Sequence, residues 1–318
     1  MKLRTMMVAG LVGALLMVST MGWAQDRFTE LSFRFDAGMR QDSLDWNISG
    51  PDNTPDVLSE LEWDDLEIYQ IGFVSKLIVE NNKVPFATYV RLKADYGWAT
   101  DGDVQDSDYL GDNRTLEFSR STADADESDV WDVSIGGGFQ FSFFNDRFKL
   151  VPLIGYSRHE QQLNIRDGVQ VIGDGFYVPA AGTTMPDLDS GYDAEWHGPW
   201  VGVDITWQIS PRLVFDGTAE YHDVDYDATA NWNLRDDFAH PVSFDHQADA
   251  EGIVAEGTLT YLFNEHWKLS ATFNYSKWKA EDGSDTTFFS DGTSSETGLN
   301  EVNWESVSAM VGISYDFF

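Results

Sequence analysis

The chain has 318 residues, with 54 acidic side chains against 20 basic ones, a net charge of −34 and no cysteine. That charge excludes a basic surface for nucleic-acid phosphates, and the missing cysteine excludes disulfides, thiolate metal sites and a cysteine nucleophile. Hydrophobic residues at 42% exclude wholesale disorder, while aromatics at 14% are rich for a soluble acidic protein.

Residues 1–24 read as a secretory signal. Lys2 and Arg4 form a positive start, an apolar run extends from Met6 to Val18, and Gly22-Trp23-Ala24 sets small residues before a cleavage point at Gln25. The alternative is an N-terminal membrane anchor, for which the run is short and rich in glycine. Removal leaves 294 residues with 18 basic against 54 acidic side chains, a net charge of −36. No later stretch is apolar over the length of a membrane helix, so the mature chain is either soluble or spans as a barrel.

Segments of about ten residues with apolar and polar residues alternating are the signature of barrel strands. Phe86, Val90, Leu92, Ala94, Tyr96 and Trp98 oppose Arg91, Lys93 and Asp95. Trp131, Val133, Ile135, Phe139, Phe141 and Phe143 oppose Asp132, Ser134, Gln140 and Ser142. Val201 to Ile209 alternates with Asp204, Thr206 and Gln208, and Leu213 to Tyr221 with Asp216, Thr218, Glu220 and His222. Ile253 to Phe263 alternates with Glu256, Thr258 and Thr260. Trp267 to Tyr275 alternates with Lys268, Ser270, Thr272 and Asn274, and Val307 to Phe317 closes the chain.

Short turns at Asn81-Asn82-Lys83, Phe144-Asn145-Asp146, Ser210-Pro211 and Asn264-Glu265-His266 alternate with long polar stretches near 41–58, 101–126, 167–194, 233–247 and 281–300. Four turns and five loops predict ten strands over residues 25–318 in one domain: an all-β, up-and-down antiparallel barrel in the outer membrane of a Gram-negative bacterium. The chain ends Tyr315-Asp316-Phe317-Phe318, an aromatic terminus with one residue beyond the Tyr-x-Phe pattern. The alternative is a secreted β-sandwich, whose strands are shorter and whose apolar face is aliphatic more than aromatic. A ten-stranded barrel is filled by side chains, and Arg91, Lys93, Asp95, Asp132, Asp216, Glu220 and His222 are expected to form charge networks inside it.

Ser59-Glu60-Leu61-Glu62-Trp63, Gly97-Trp98-Ala99-Thr100, Asp106-Ser107-Asp108-Tyr109, Gly155-Tyr156 and Gly217-Thr218 follow one another in an order and spacing that resembles the omptin family of outer-membrane proteases. In that family an Asp pair faces an Asp-x-His pair across the barrel mouth, and together they activate a water. The resemblance implies that Asp106 and Asp108 are the carboxylate pair. The Asp-x-His positions fall on Asn231-Trp232-Asn233, and neither asparagine is a general base near neutral pH. A gap could bring His240 or His246 into reach instead, and no Asp-x-His occurs anywhere in the chain. Glu195/His197 and Glu220/His222 are the Glu-x-His pairs, read as polar neighbours on strands. The stretch 101–108 is acid-rich in any case and lacks the spacing of a Ca²⁺ loop.

Omptins also bind lipopolysaccharide phosphates on the outer wall. Of those contacts only Tyr156 and Arg158 have counterparts here, and the basic positions on neighbouring strands fall on residues such as Trp196 and Ala248. Three functional readings follow. The first is a non-proteolytic omptin-like barrel presenting acidic surface loops for binding or structural duty. The second is an endopeptidase using Asp106, Asp108 and a displaced histidine, and the third is a narrow solute channel. No cofactor or metal is expected. The expected partners are outer-membrane lipid, lipopolysaccharide through divalent cations, and basic peptides, with the chain acting as a monomer.

Overall fold

A computed structural model describes residues 29–80 and 83–317. The segment read as a signal, the Asn81-Asn82 turn and Phe318 lie outside the described residues. The described chain forms strands β1 (Thr29–Ile48), β2 (Ser59–Val79), β3 (Ala87–Gly111), β4 (Thr115–Asp124), β5 (Asp129–Phe143) and β6 (Phe148–Ile172). It continues with β7 (Thr184–Ser210), β8 (Leu213–Asn231), β9 (Phe244–Leu262), β10 (Trp267–Phe288) and β11 (Ser294–Asp316). All pairings are antiparallel, and β1 pairs both β2 and β11, so the sheet closes into a ring. Closure leaves no edge whose backbone groups would face lipid unpaired.

Eleven strands occupy ten places around that ring. β4 pairs the upper part of β3 and of β6, as at Asp103↔Asp124 and Asp124↔Arg166. β5 pairs the lower parts, as at Trp98↔Asp129 and Asp129↔Gln162. Between them, Ala125 N–H donates to the Gly102 carbonyl and Ser128 accepts at its carbonyl from Ala99 N–H, so the wall continues across the interruption.

The strands are longer than the membrane needs. β6 has 25 residues and β7 has 27, over twice the roughly 9–11 that cross a bilayer. Three of the five stretches read as loops, 101–126, 167–194 and 281–300, are therefore largely strand: β3 runs on to Gly111, and the connections are 49–58, 112–114, 173–183, 232–243 and 289–293. Their polar composition reads as loop because the upper wall stands in water.

The alternation changes phase where the wall leaves the lipid. On β8, Phe215 and Tyr221 point outward and Glu220 and His222 inward. Two residues higher the order reverses: Asp223, Asp225 and Asp227 point outward, while Val224, Tyr226 and Ala228 are buried inside. The same reversal separates outward Val201 from inward Trp196 and Tyr192 on β7, and outward Val307 from inward Trp304 and Val302 on β11. Outward aromatics, among them Tyr69, Trp98, Tyr156 and Tyr221, stand just below this level as an interfacial girdle.

The lumen has two zones. Low down it is charged: Arg91 reaches Asp204 at 2.5 Å and also Glu220, Lys93 reaches Glu256 at 2.6 Å, and Arg34 reaches Asp36 at 2.7 Å. Arg40 then bridges Asp42 and Asp132, each at 2.6 Å. Above it the lumen is aromatic. Trp278 stacks on Trp304 at 5.3 Å between ring centroids, and Trp196, Tyr226, Tyr192, Trp63, Trp46 and Phe244 fill the space beyond. Many aromatics thus line the interior in addition to the lipid-facing girdles.

Trp278 is 1% exposed and touches the His159 and His222 rings at 4.6 and 4.7 Å. Trp278→Ala is expected to cost about 3–5 kcal/mol through the cavity it leaves. Gly252 stands beneath the same ring, where an added Cβ would come within 2.3 Å. Gly252→Ala is expected to cost about 1–3 kcal/mol by overpacking. Urea midpoints of the barrel refolded into lipid vesicles measure both.

Candidate functional site

The upper part of β3 carries Asp106 and Asp108 onto the inner face of the barrel mouth. Asp106 lies opposite Leu61 on β2 and Ser121 on β4, and Asp108 lies opposite Ser59 and Ser119. Leu61 and Val104, which share that face, are buried in the luminal core. Burial, and after it the neighbouring Asp108, push Asp106 well above the ordinary carboxylate range. Burial also raises Asp108, against the pull of the Ser59 and Ser119 hydroxyls and of Arg235. The pair therefore keeps a proton above the pH at which an exposed aspartate loses its own.

The cation that acts on both carboxylates is Arg235, from the loop joining β8 to β9. Arg235 is held in place by a two-pronged contact to Asp237 at 3.0 and 2.9 Å and by the Phe238 ring, 4.1 Å below its guanidinium carbon. The loop is tied in turn to the β10–β11 tip, where Ser290 N–H donates to the Asp237 carbonyl and Phe238 bridges Phe289. Nothing in the composition of the loop marks Arg235 out, since its role depends on where the loop lies over the mouth.

The asparagines at the expected Asp-x-His positions have structural work. Asn233 accepts from Asp189 N–H at 3.0 Å and from the Ser190 hydroxyl at 3.1 Å, and donates to the Asp187 carbonyl at 2.8 Å. Asn231 Oδ1 lies 2.8 Å from Nδ1 of His240, which is exposed.

His246 does have a carboxylate, but it is not its sequence neighbour Asp245. β9 and β10 pair His246 directly with Asp285, and Nε2 lies 3.1 Å from Asp285 Oδ1. Nδ1 lies 2.9 Å from the Tyr192 hydroxyl, which contacts the Tyr226 hydroxyl in turn. The ring is 0% exposed, sealed among Trp46, Phe244 and Tyr192. This buried line from Tyr226 to Asp285 was missed because it is made by strand register across residues far apart in sequence.

The Glu-x-His pairs divide between the two faces. Glu220 and His222 are buried in the lumen, 3.1 Å apart, with Ser157 at 3.1 Å on the other ring nitrogen. His197 stands on the outer wall, 3.5 Å from Glu195 and 3.9 Å from Asp227. Arg158 is on the outer wall too, and its charge is already engaged: it contacts Glu160, reaches Glu195 at 2.6 Å and lies over Trp131. Tyr156 is half exposed at the girdle beside it. Among the described residues no group of three or more His, Asp or Glu side chains is placed to hold a metal ion.

The model of one family, Protochlamydia outer membrane protein, matches residues 34–317. Among solved structures, the outer membrane protease OmpT from Escherichia coli is similar in fold, with a TM-score of 0.70 at 12% identity, covering 91% of this chain and 97% of that one. The translocator domain of the autotransporter NalP from Neisseria meningitidis covers 98% of this chain and 97% of its own at 13% identity, with a TM-score of 0.37. A major outer membrane protein from Thermus thermophilus covers 91% and 100% at 10% identity, with a TM-score of 0.34. A search of curated proteins finds no match.

A raised carboxylate pKa means that the folded state holds the proton more tightly than the unfolded one. The Asp106/Asp108 pair therefore destabilises the barrel above the unfolded value near 4, and that cost fades as pH falls through the raised value. Asp106→Asn is expected to stabilise the barrel near neutral pH, because it removes a carboxylate that burial disfavours in its charged form. The gain should shrink to nothing at about pH 4. Paired denaturation curves across that range measure it.

Proposed function

The chain belongs to the Protochlamydia outer membrane protein family, and we propose that this outer-membrane barrel is a divergent, non-proteolytic relative of the omptins. In this reading its upper wall is an acidic surface held above the membrane for cationic partners. One observation carries the proposal: Asn231 and Asn233 stand where an Asp-x-His pair would, Asn233 tied to Asp187, Asp189 and Ser190 and Asn231 beside His240, while the cation whose charge acts on Asp106 and Asp108 is Arg235. Activating a water requires a base with a free lone pair within hydrogen-bond reach. A guanidinium stays protonated at any physiological pH and offers none.

The histidines support the same reading. His246 has a carboxylate but no exposed surface, and both its ring nitrogens face protein atoms. His240 is open to solvent, and its Nδ1 lies 2.8 Å from the amide oxygen of Asn231, which is not a carboxylate. The aromatic lumen between Trp278 and Trp63 also opposes a solute path.

The binding role rests on the outer wall. Asp223 lies directly opposite Glu251, and Asp225 directly opposite Asp249. Like charges across a strand pair repel. A cationic ligand would relieve that repulsion, so basic peptides are the partner class this wall favours. Lipopolysaccharide phosphates would need divalent ions between them and these carboxylates, because Arg158 is already paired.

The barrel refolded with lipopolysaccharide is expected to cleave no member of a broad fluorogenic peptide library, and to give no conductance steps in planar bilayers. Cleavage abolished by Asp106→Asn would overturn the non-proteolytic reading. An oligolysine peptide is expected to bind, and to weaken steeply as salt rises.

A further inference from the structure

Above β6 the chain makes a built loop, 173–183. Its base is closed by Gln170 N–H to the Thr183 carbonyl and by Gly182 N–H to the Gln170 carbonyl, at 2.9 and 2.8 Å. Gly175 and Gly182 take φ of 72° and 86°, turns that a side chain would strain. Asp174 Oδ1 accepts the backbone N–H groups of Phe176, Tyr177 and Val178 at 2.8, 2.9 and 3.4 Å. This ordered backbone holds two large rings out in water: Phe176 is 83% exposed and Tyr177 is 84% exposed, packed edge to face at 4.9 Å.

A second apolar pair stands on the hairpin of the neighbouring strand. Leu110 and Leu116, 63% and 71% exposed, flank the β3–β4 hairpin. β4 pairs β6 at Arg120↔Ile172, so the hairpin and the loop rise from one sector of the rim. Both lie above the girdle, outside the lipid belt. Apolar side chains clustered on a rigid, solvated loop mark a docking surface more than a packing error.

The surrounding charge says what docks there. Asp112 stands on the hairpin and Asp174 in the loop, with Asp167 and Asp187 lower on β6 and β7. The arginines of this sector are already engaged: Arg114 with Glu60, Arg120 with Glu117, and Arg166 with Glu127 and Asp189. An anionic surface, lipid or otherwise, would be repelled.

We propose that the Phe176–Tyr177 prong, with Leu110 and Leu116, docks a cationic amphipathic polypeptide on the extracellular rim. The partner's apolar side chains cover the rings and leucines, while its lysines and arginines meet the nearby carboxylates or lie over the ring faces. This rests on the reading of the upper wall as an acidic platform, and names the part of it that recognises a partner.

The test uses the full barrel in zwitterionic nanodiscs, with binding read by interferometry. The probes are an amphipathic Lys/Leu peptide, a Lys-only peptide of equal charge, and phosphatidylglycerol vesicles. Wild type is expected to bind the Lys/Leu peptide at least about tenfold more tightly than the Lys-only one, the return for burying apolar anchors. Phe176→Ser with Tyr177→Ser is expected to lose that factor and leave Lys-only binding unchanged. Asp174→Ala keeps both rings but frees the loop, and is expected to lose about a threefold part of it. Heat-shifted gel migration establishes that each variant is folded. Equal binding of the two peptides by wild type, or no loss in the double variant, would overturn the prong and leave the acidic platform standing. Failure of both peptides to bind would remove prong and platform together. Vesicle capture, or self-association of the barrel, that disappears in the double variant would assign the rings to lipid or to a second copy, and would overturn the proposal as well.

Discussion

Every other feature of this molecule depends on the closure of the backbone hydrogen-bond ring. With β1 joined to β11, no residue can escape the choice between inward and outward, and successive residues must alternate. The wall passes through two solvents, so one alternation cannot serve its whole height. Apolar residues face outward where lipid surrounds the wall and inward where water does. Tyr221 and Tyr226 on β8, one outward and one buried, belong to one strand and to opposite solutions of the same constraint.

The ring also encloses a volume that must be filled. The lower lumen is filled by charges held in networks: Asp204 receives Tyr89, Arg91 and Thr218, and Glu220 receives Arg91 and His222. A buried ion is tolerable only with that degree of partnering. Higher up, where the wall turns polar on its outside, the inside becomes an ordinary hydrophobic core of tryptophan and tyrosine. The mouth inherits its chemistry from both. β3 lifts two aspartates to the edge of the aromatic core, where desolvation makes them hold a proton. The β8–β9 loop carries Arg235, whose positive charge acts on both.

How much of this is legible in the sequence follows from which solvent a segment faces. Trp131 to Phe143 reads plainly as a strand, because lipid demands an apolar outer face. Asp223-Val224-Asp225-Tyr226-Asp227 alternates just as strictly. Asp101 to Asp108 on β3 belongs to an upper strand as well, but its acids read as a loop, so the upper strands are hidden in plain composition. The asparagines at 231 and 233 were readable as a departure from the omptin pattern. The pairing of His246 with Asp285, the approach of Arg235 to Asp106, and the continuation of β4 into β5 were not, because each is set by register between distant segments.

The phase reversal along the strands also determines how deep the barrel sits. Asp223, Asp225 and Asp227 form an outward column immediately above Tyr221, and sinking the wall by two residues, roughly 6–7 Å along the strand, would draw the first of them into hydrocarbon. Raising it equally would lift Tyr221 and its fellow aromatics out of the interface into water. Displacement is opposed in both directions, as with a float ballasted at one waterline. The mouth, the Arg235 loop and the Phe176–Tyr177 prong are therefore held at a constant height above the bilayer.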